Sequence, residues 1–281
     1  MLNAEGKKGR MMTTVEDRRR AFRRLHESGC FVMPNPWDAG SARVLARLRF
    51  PALATTSAGF AWSVGRADNH VTIEQALTHF RAIVDAVDLP SNADFEDGFA
   101  IDPAGVQANV ARAVETGIAG VSIEDSTRDR ANPLFEFDLA VERVKAARRA
   151  IDTAGAQVLL TGRSEGFIAG RPDLHETIRR LTAYAEAGAE CLFAPGIRTR
   201  ADIQAVVNAV SPKPVNVVVG SDFTTVAELA DIGVRRISVG GALARTAWSG
   251  FLQAATEIAE RGSFSGLAPT TLSADINGFF G

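Results

Sequence analysis

Apolar residues in this chain fall into short continuous runs rather than alternating with polar ones. The runs are Phe31 to Met33, Ala52 to Thr55, Leu89 to Asp94, Gly120 to Glu124, Val158 to Thr161, Cys191 to Phe193, Val215 to Val219 and Arg236 to Val239. Such runs are the pattern of parallel strands covered on both faces. Between them the apolar spacing changes to that of helices, over Ser41 to Leu48, Ile73 to Val87, Pro103 to Thr116, Asp138 to Ala154, Leu174 to Ala187, Arg200 to Val210, Thr225 to Ile232 and Ala242 to Arg261. Gly117, Gly155, Gly188 and Gly233 close helices in the position expected of a C-terminal cap. Eight strand-helix units predict an α/β protein of the (β/α)8 TIM barrel type, with a doubly wound open sheet as the alternative. A basic segment carrying Val15, Phe22 and Leu25 and ending near Gly29 adds an N-terminal helix. No linker divides the chain, so residues 13–281 read as one domain behind a tail of residues 1–12. Met11 and Met12 stand just before the first helical pattern, which leaves either a disordered tail or a later start.

A barrel places its site at the C-terminal ends of the strands, so the polar residues that follow each run become candidates. They are Asp38; Thr56, Ser57, Ala58 and Gly59; Asp94 and Glu96; Glu124 and Asp125; Arg163 and Glu165; and Asn216. Asp94 and Glu96 are two apart, which on an extended backbone puts both on one face. Neighbouring carboxylates need a shared proton or a cation, and Asp94, Glu96 and Glu124 together suit a hard divalent ion such as Mg2+. Asp97-Gly98 reads as turn chemistry. Arg163 offers a fork for a carboxylate or phosphoryl group, or else a neutralising partner for Glu165 or Glu124. The Ser57-Ala58-Gly59 turn offers backbone N–H groups to a second set of oxygens, or is an ordinary loop. These parts describe a pocket for a small metal-chelated organic acid, and a 2-oxo acid fits because a Lewis acid on its keto oxygen steadies an enolate. Gly240-Gly241 with Gly220 reads either as a phosphate cradle or as a close helix start.

Charge and composition narrow the class. The 281 residues carry 31 Lys and Arg against 33 Asp and Glu, a net −2 that gives no signal for nucleic acid or an anionic membrane surface. No apolar run is long enough to span a bilayer and the N-terminus lacks a secretory signal, so a cytoplasmic protein is expected. Cys30 and Cys191 have no pairing pattern and read as small buried hydrophobes. His26, His70, His79 and His175 read as surface or capping residues and Tyr184 as packing.

The segments Asn35-Pro36-Trp37-Asp38-Ala39-Gly40-Ser41-Ala42, Thr55-Thr56-Ser57-Ala58-Gly59, Ala93-Asp94-Phe95-Glu96-Asp97-Gly98-Phe99 and Val121-Ser122-Ile123-Glu124-Asp125-Ser126, with Arg163, carry a resemblance. Over roughly Pro34 to Arg245 the chain resembles the isocitrate lyase and phosphoenolpyruvate mutase superfamily. The resemblance implies a barrel whose eighth helix is exchanged between subunits of a homodimer or homotetramer. It also implies Mg2+ at the mouth and enolpyruvate or 2-oxo acid chemistry. Asp94, Glu96 and Glu124 match the metal-site carboxylates, Arg163 the substrate-anion arginine and Ser57, Ala58 and Gly59 the turn that holds the substrate carboxylate. Asp68 matches an aspartate that approaches the substrate, and Ser126 to Leu134 takes the place of a mobile gate, with Thr127, Arg128 and Asn132 as its candidates. Asp38 and Asn216 complete the expected substrate shell.

The gate lacks the Lys-Lys-Cys-Gly-His sequence of the lyases, so cleavage of isocitrate or methylisocitrate by the usual route is not expected. Ala194-Pro195 stands where the mutase has a histidine, which weakens the case for phosphonate chemistry. The expectation is a Mg2+-dependent lyase or decarboxylase acting on a small 2-oxo or 2-hydroxy dicarboxylate. The alternatives are a carbon-phosphorus bond enzyme and a non-catalytic organic-acid-binding protein.

Overall fold

The computed structural model of the protein describes residues 13–267 and 276–280. The expected tail, residues 1–12, lies outside them. Eight parallel strands form the sheet: β1 (Phe31–Met33), β2 (Leu53–Ala54), β3 (Ser91–Asp94), β4 (Gly120–Glu124), β5 (Leu159–Arg163), β6 (Cys191–Phe193), β7 (Val215–Val218) and β8 (Arg236–Ser238). Their order, β1-β8-β7-β6-β5-β4-β3-β2, runs round a ring. The Ala54 N–H donates to the Pro34 carbonyl at 3.0 Å across the remaining seam between β1 and β2. The fold is the expected (β/α)8 barrel, and the open-sheet alternative falls.

The outer faces of the strands carry Ala93, Val121, Ile123, Leu160, Leu192, Val215, Val217 and Ile237, all buried beneath the helices. The alternate positions point inward, and here they are polar: Asn92 and Asp94, Ser122 and Glu124, Thr161 and Arg163, Asn216, Arg236 and Ser238. Both faces are therefore screened from water, yet only one is apolar. The strand runs read as uniformly buried because serine, threonine and asparagine pass among the apolar residues in a short window.

The helices are α1 (Val15–Leu25), α2 (Ala39–Arg47), α3 (Ser57–Ser63), α4 (Ile73–Ala86), α5 (Pro103–Val114), α6 (Phe137–Thr153), α7 (Leu174–Glu186), α8 (Arg200–Val210), α9 (Val226–Asp231) and α10 (Ala242–Arg261). Short polar caps start most of them. Thr14 and Asp17 form a capping box on α1, and Asp38 and Ser41 form one on α2. Helix α3 was expected only as a turn; Thr56 caps it by accepting the Gly59 N–H at 3.3 Å.

Helix α1 closes the barrel floor. Phe22 is fully buried, packed with Phe31 and His26, and Arg19 donates to the carbonyls of Ile118 and Val114. His26 was expected at the surface but is buried, with Nδ1 2.8 Å from the Phe22 carbonyl and Nε2 3.3 Å from Arg236 Nη1. Burial, then the charge of Arg236, pushes its pKa down to about 3. Phe22→Ala should cost about 3–5 kcal/mol through the lost transfer energy and the cavity left on the floor. Urea denaturation checks this; a loss below about 1 kcal/mol would mean that α1 does not seal the barrel.

Helix α10 departs from the usual outer ring. Of its residues only Ala244 is buried, while Phe251 is 60% and Leu252 55% exposed. This 20-residue helix thus leaves an apolar face open on the single chain. No helix among the described residues is long and apolar enough to cross a membrane.

Candidate active site at the barrel mouth

A cavity of about 300 Å3 opens at the C-terminal ends of the strands. Its wall on one side holds Ser57, Ala58, Asp68, Asp94 and Arg163, and on the other Gly220, Gly240, Gly241, Arg198 and Arg245. Asn216 and Arg236 lie deeper.

The side chains converge because β3, β4 and β5 are adjacent and in register, with Glu124 paired to Arg163 across β4 and β5. The Arg163 guanidinium sits 3.0 Å from Asp94 Oδ1 and 3.1 Å from Glu124 Oε2, and its Nε donates to Glu165. The Asp94 carboxylate also accepts the Ser57 N–H at 3.0 Å. Arg163 therefore does neutralise Glu124 and Glu165, as one sequence reading allowed, and it does so inside the cavity wall.

Glu96 reaches the site by a different route from the one its spacing implied. β3 ends at Asp94, and Glu96 adopts a left-handed φ of 49°, so a turn and not strand alternation delivers it. Glu96 is 2% exposed, and its Oε2 lies 3.0 Å from Arg128 Nη2 without a well-aligned hydrogen bond. Burial pushes its carboxyl up to about 8 against the opposing pull of Arg128. Burial likewise drives Glu124 well above the usual carboxylate range, with Arg163 opposing and Glu165, Asp94 and Glu96 reinforcing. Asp68 lies on an exposed loop yet lines the cavity, and its carboxyl is raised by desolvation and then by Asp94.

Four carboxylates, Asp94, Glu96, Glu124 and Glu165, thus meet two arginines, Arg163 and Arg128. Carboxylates thus outnumber counter-charges, and burial leaves Glu96 and Glu124 holding protons that a cation could replace. Among the described residues no three acidic, histidine or cysteine side chains close on one point as a ready-made cage. Magnesium does not need one, since it takes one or two carboxylates and keeps several waters. An all-oxygen donor set, carboxyls in excess of arginines and the unbonded Glu96 oxygen fit such an ion.

Several expected residues are placed elsewhere. Asp38 is outside the cavity lining; its carboxylate caps α2, accepting the Ser41 N–H at 2.6 Å. Gly59 is buried behind the cavity, where a Cβ would lie 2.7 Å from Thr56 and 3.1 Å from both Trp37 and Ala244, so close packing explains the glycine. Asn216 lines the cavity with its amide already tied to Arg236 and Ser238. Thr127 and Asn132 bond within the gate and do not line the cavity. His79 is buried and stacked on Phe60, with its pKa pushed down to about 4 by burial.

Two roles escaped the sequence reading. Asp125 is a brace: it accepts from Tyr184 Oη at 2.6 Å and Arg180 Nη1 at 3.1 Å and receives the Glu165 N–H at 2.7 Å. Asp97 holds the gate through Arg128 at 2.5 Å. The first could have been suspected from an acidic residue beside Glu124 that must face away from it; the second had no local signal.

The phosphoenolpyruvate phosphomutase family matches residues 22–259. An uncharacterized protein of Mycobacterium tuberculosis H37Rv is 30% identical, over 78% of this chain and 81% of its own length. The oxaloacetate decarboxylase of Rhodopseudomonas palustris HaA2 is 27% identical, over 79% and 77%. The crystal structure of a lyase/mutase candidate from Burkholderia cenocepacia J2315 superposes with a TM-score of 0.91 at 45% identity, over 95% of this chain and 97% of that one. With a barrel whose acidic mouth carries the motifs in their order, the chain belongs to the phosphoenolpyruvate phosphomutase family, within the superfamily of magnesium-dependent lyases and mutases that includes isocitrate lyase.

Proposed function

We propose that the protein is a Mg2+-dependent carbon-carbon lyase or decarboxylase acting on a small 2-oxo or 2-hydroxy dicarboxylate. The observation that carries this reading is the surplus of buried carboxylate oxygen around one arginine at the cavity wall. Asp94, Glu96 and Glu124 would hold the ion. When bound, it supplies Lewis acidity to a keto oxygen and offsets the negative charge of an enolate.

The chain's own residues do the rest. The Ala58 N–H at the start of α3 meets the substrate carboxylate, while the Ser57 N–H stays on Asp94 and fixes that carboxylate beside it. Arg163 supplies a fixed positive charge beside it. Asp68, with its raised carboxyl, is placed to hold a proton at the cavity edge. The gate, residues 126–134, lines none of the cavity in this conformation, and its closure over the mouth would exclude water.

The similarity to an oxaloacetate decarboxylase favours oxaloacetate as the first substrate to test. Pyruvate should form from oxaloacetate with Mg2+ and stop when the metal is chelated. A phosphonopyruvate assay that releases phosphate while oxaloacetate stays untouched would instead favour the carbon-phosphorus alternative. Tight Mg2+-dependent oxalate binding without turnover of any 2-oxo acid would favour the binding-protein alternative. The open apolar face of α10 supports assembly into a homodimer or homotetramer through exchange of that helix.

The raised carboxyl of Glu96 also predicts a pH dependence. Metal binding must displace its proton below about pH 8, and that of Glu124 as well, so apparent Mg2+ affinity should rise by at least about tenfold per pH unit up to pH 8. The same shift has a stability consequence in the metal-free protein. The native state keeps a proton that the unfolded chain releases near the ordinary 4.5, so stability falls as pH climbs from about 4.5 to about 8. Calorimetric titrations across this range check both; Mg2+ affinity independent of pH would remove Glu96 from the metal site.

A further inference from the structure

The tip of the gate, residues 127–132, makes its polar contacts with other loops through one side chain among the described residues. Ser126 and Leu134 pair at its base, the Thr127 N–H donates to the Pro133 carbonyl, and the Asp129 and Ala131 N–H groups bond to Thr127 and Asp129. Among the described residues, the hydrogen bonds and ion pairs that leave residues 127–132 for other loops are those of Arg128. Its Nη2 lies 2.5 Å from Asp97 Oδ1 and 3.0 Å from Glu96 Oε2, its Nη1 donates to the Asn69 carbonyl at 3.3 Å, and its guanidinium sits 5.3 Å from the Phe99 ring centre.

Backbone strain gathers at the same place. Glu96, Phe99 and Arg128 have φ values of 49°, 54° and 65°, which non-glycine residues seldom adopt, and Asn69 has 63°. Arg128 and three of the residues it touches, from three loops, hold left-handed conformations that cost free energy unless their surroundings enforce them. An exposed loop does not keep such a geometry for its own stability. Arg128 is the common partner in this cluster, and it joins the gate to Glu96, a carboxylate of the metal site, and to the loop that carries Asp68.

We propose that Arg128 is a positioning residue that holds the gate over the mouth and, by the same guanidinium, orients Glu96, so that gate closure and cation binding reinforce each other. The inference rests on the metal reading above. Groups that orient a metal-site carboxylate from behind commonly change metal affinity by about 10- to 100-fold when removed. By linkage, the ion must favour the closed gate by the factor that the closed gate favours the ion.

The test needs no substrate. Hydrogen exchange of residues 126–134 and 95–100 is measured in the wild type, Arg128→Gln, Arg128→Lys and Arg130→Gln, with and without Mg2+, alongside calorimetric Mg2+ affinity. Arg130 carries the same charge on the same loop but makes none of these contacts, so it controls for charge alone. In Arg128→Gln, exchange of both segments should speed up about tenfold without metal, Mg2+ affinity should fall about tenfold, and Mg2+ should no longer slow the gate. Arg128→Lys should lie between, and Arg130→Gln should match the wild type. Gate exchange unchanged in Arg128→Gln, or an affinity loss equal to that of Arg130→Gln, would overturn the proposal. Failure of the wild type to bind Mg2+ would instead overturn the metal reading, and the metal-free exchange rates would still decide whether Arg128 holds the gate.

Discussion

Glu124→Ala should lower Mg2+ affinity by at least about a hundredfold and abolish turnover, while leaving the metal-free protein within about 1 kcal/mol of wild-type stability. The two halves of this expectation have one cause. Glu124 is 7% exposed, and burial reinforced by Glu165, Asp94 and Glu96 raises its carboxyl well above the usual range, so in the absence of a cation it holds a proton and its removal takes no net charge from the site. Arg163 keeps Asp94 and Glu165 as partners after the truncation, so no buried cation is orphaned. Calorimetry with Mg2+ and urea denaturation without it give the two numbers. Undiminished metal affinity would sink the assignment of Glu124 to the ion, and a collapse of metal-free stability would return it to a structural role.

Arg163→Ala should do the reverse and hurt the fold first. It leaves Asp94, Glu124 and Glu165 without their shared counter-charge, and breaking a buried ion pair on one side costs about 3–5 kcal/mol. Substrate affinity should fall by a further 2 kcal/mol or so, because a charge-assisted bond to the acid is lost in a desolvated wall. Arg163→Lys separates these effects. A lysine keeps the charge and should restore much of the stability, but it cannot present the two-pronged fork that Asp94, Glu124 and the substrate share, so KM should stay high. Arg163→Lys with wild-type KM would mean that the guanidinium serves the protein and not the substrate.

The strands were legible because short runs rich in apolar residues recur between helical patterns, even though the inward positions, such as Asn92, Ser122 and Thr161, are polar. Helix starts were legible wherever a short polar residue capped them, as at Thr199 before α8. What could not be read was the turn after β3. Strand periodicity placed Glu96 beside Asp94, and a left-handed residue brought it there instead. The geometric reason for reading Glu96 with Asp94 therefore fails, and the metal role stands as a proposal.

Roles fixed by distant partners were equally hidden. Asp125 stands next to Glu124 in the chain, and only the arrival of Arg180 and Tyr184 from α7 makes one a brace and the other a site carboxylate. Asp38 carried a family motif, and here its Oδ1 caps α2 by accepting from Ser41, outside the cavity lining. His26 and His79 looked peripheral on helical patterns, but the faces that carry them are turned toward the barrel and toward Phe60.

The central claim is that this mouth holds a metal-chelated 2-oxo acid. Oxalate, planar and acidic like the enolate of such an acid, tests it most directly by calorimetric titration with Mg2+ present and then with the metal chelated. The account predicts saturable one-to-one binding per chain with Mg2+ and none without it. Oxalate binding of equal strength in both conditions, or in neither, would contradict it.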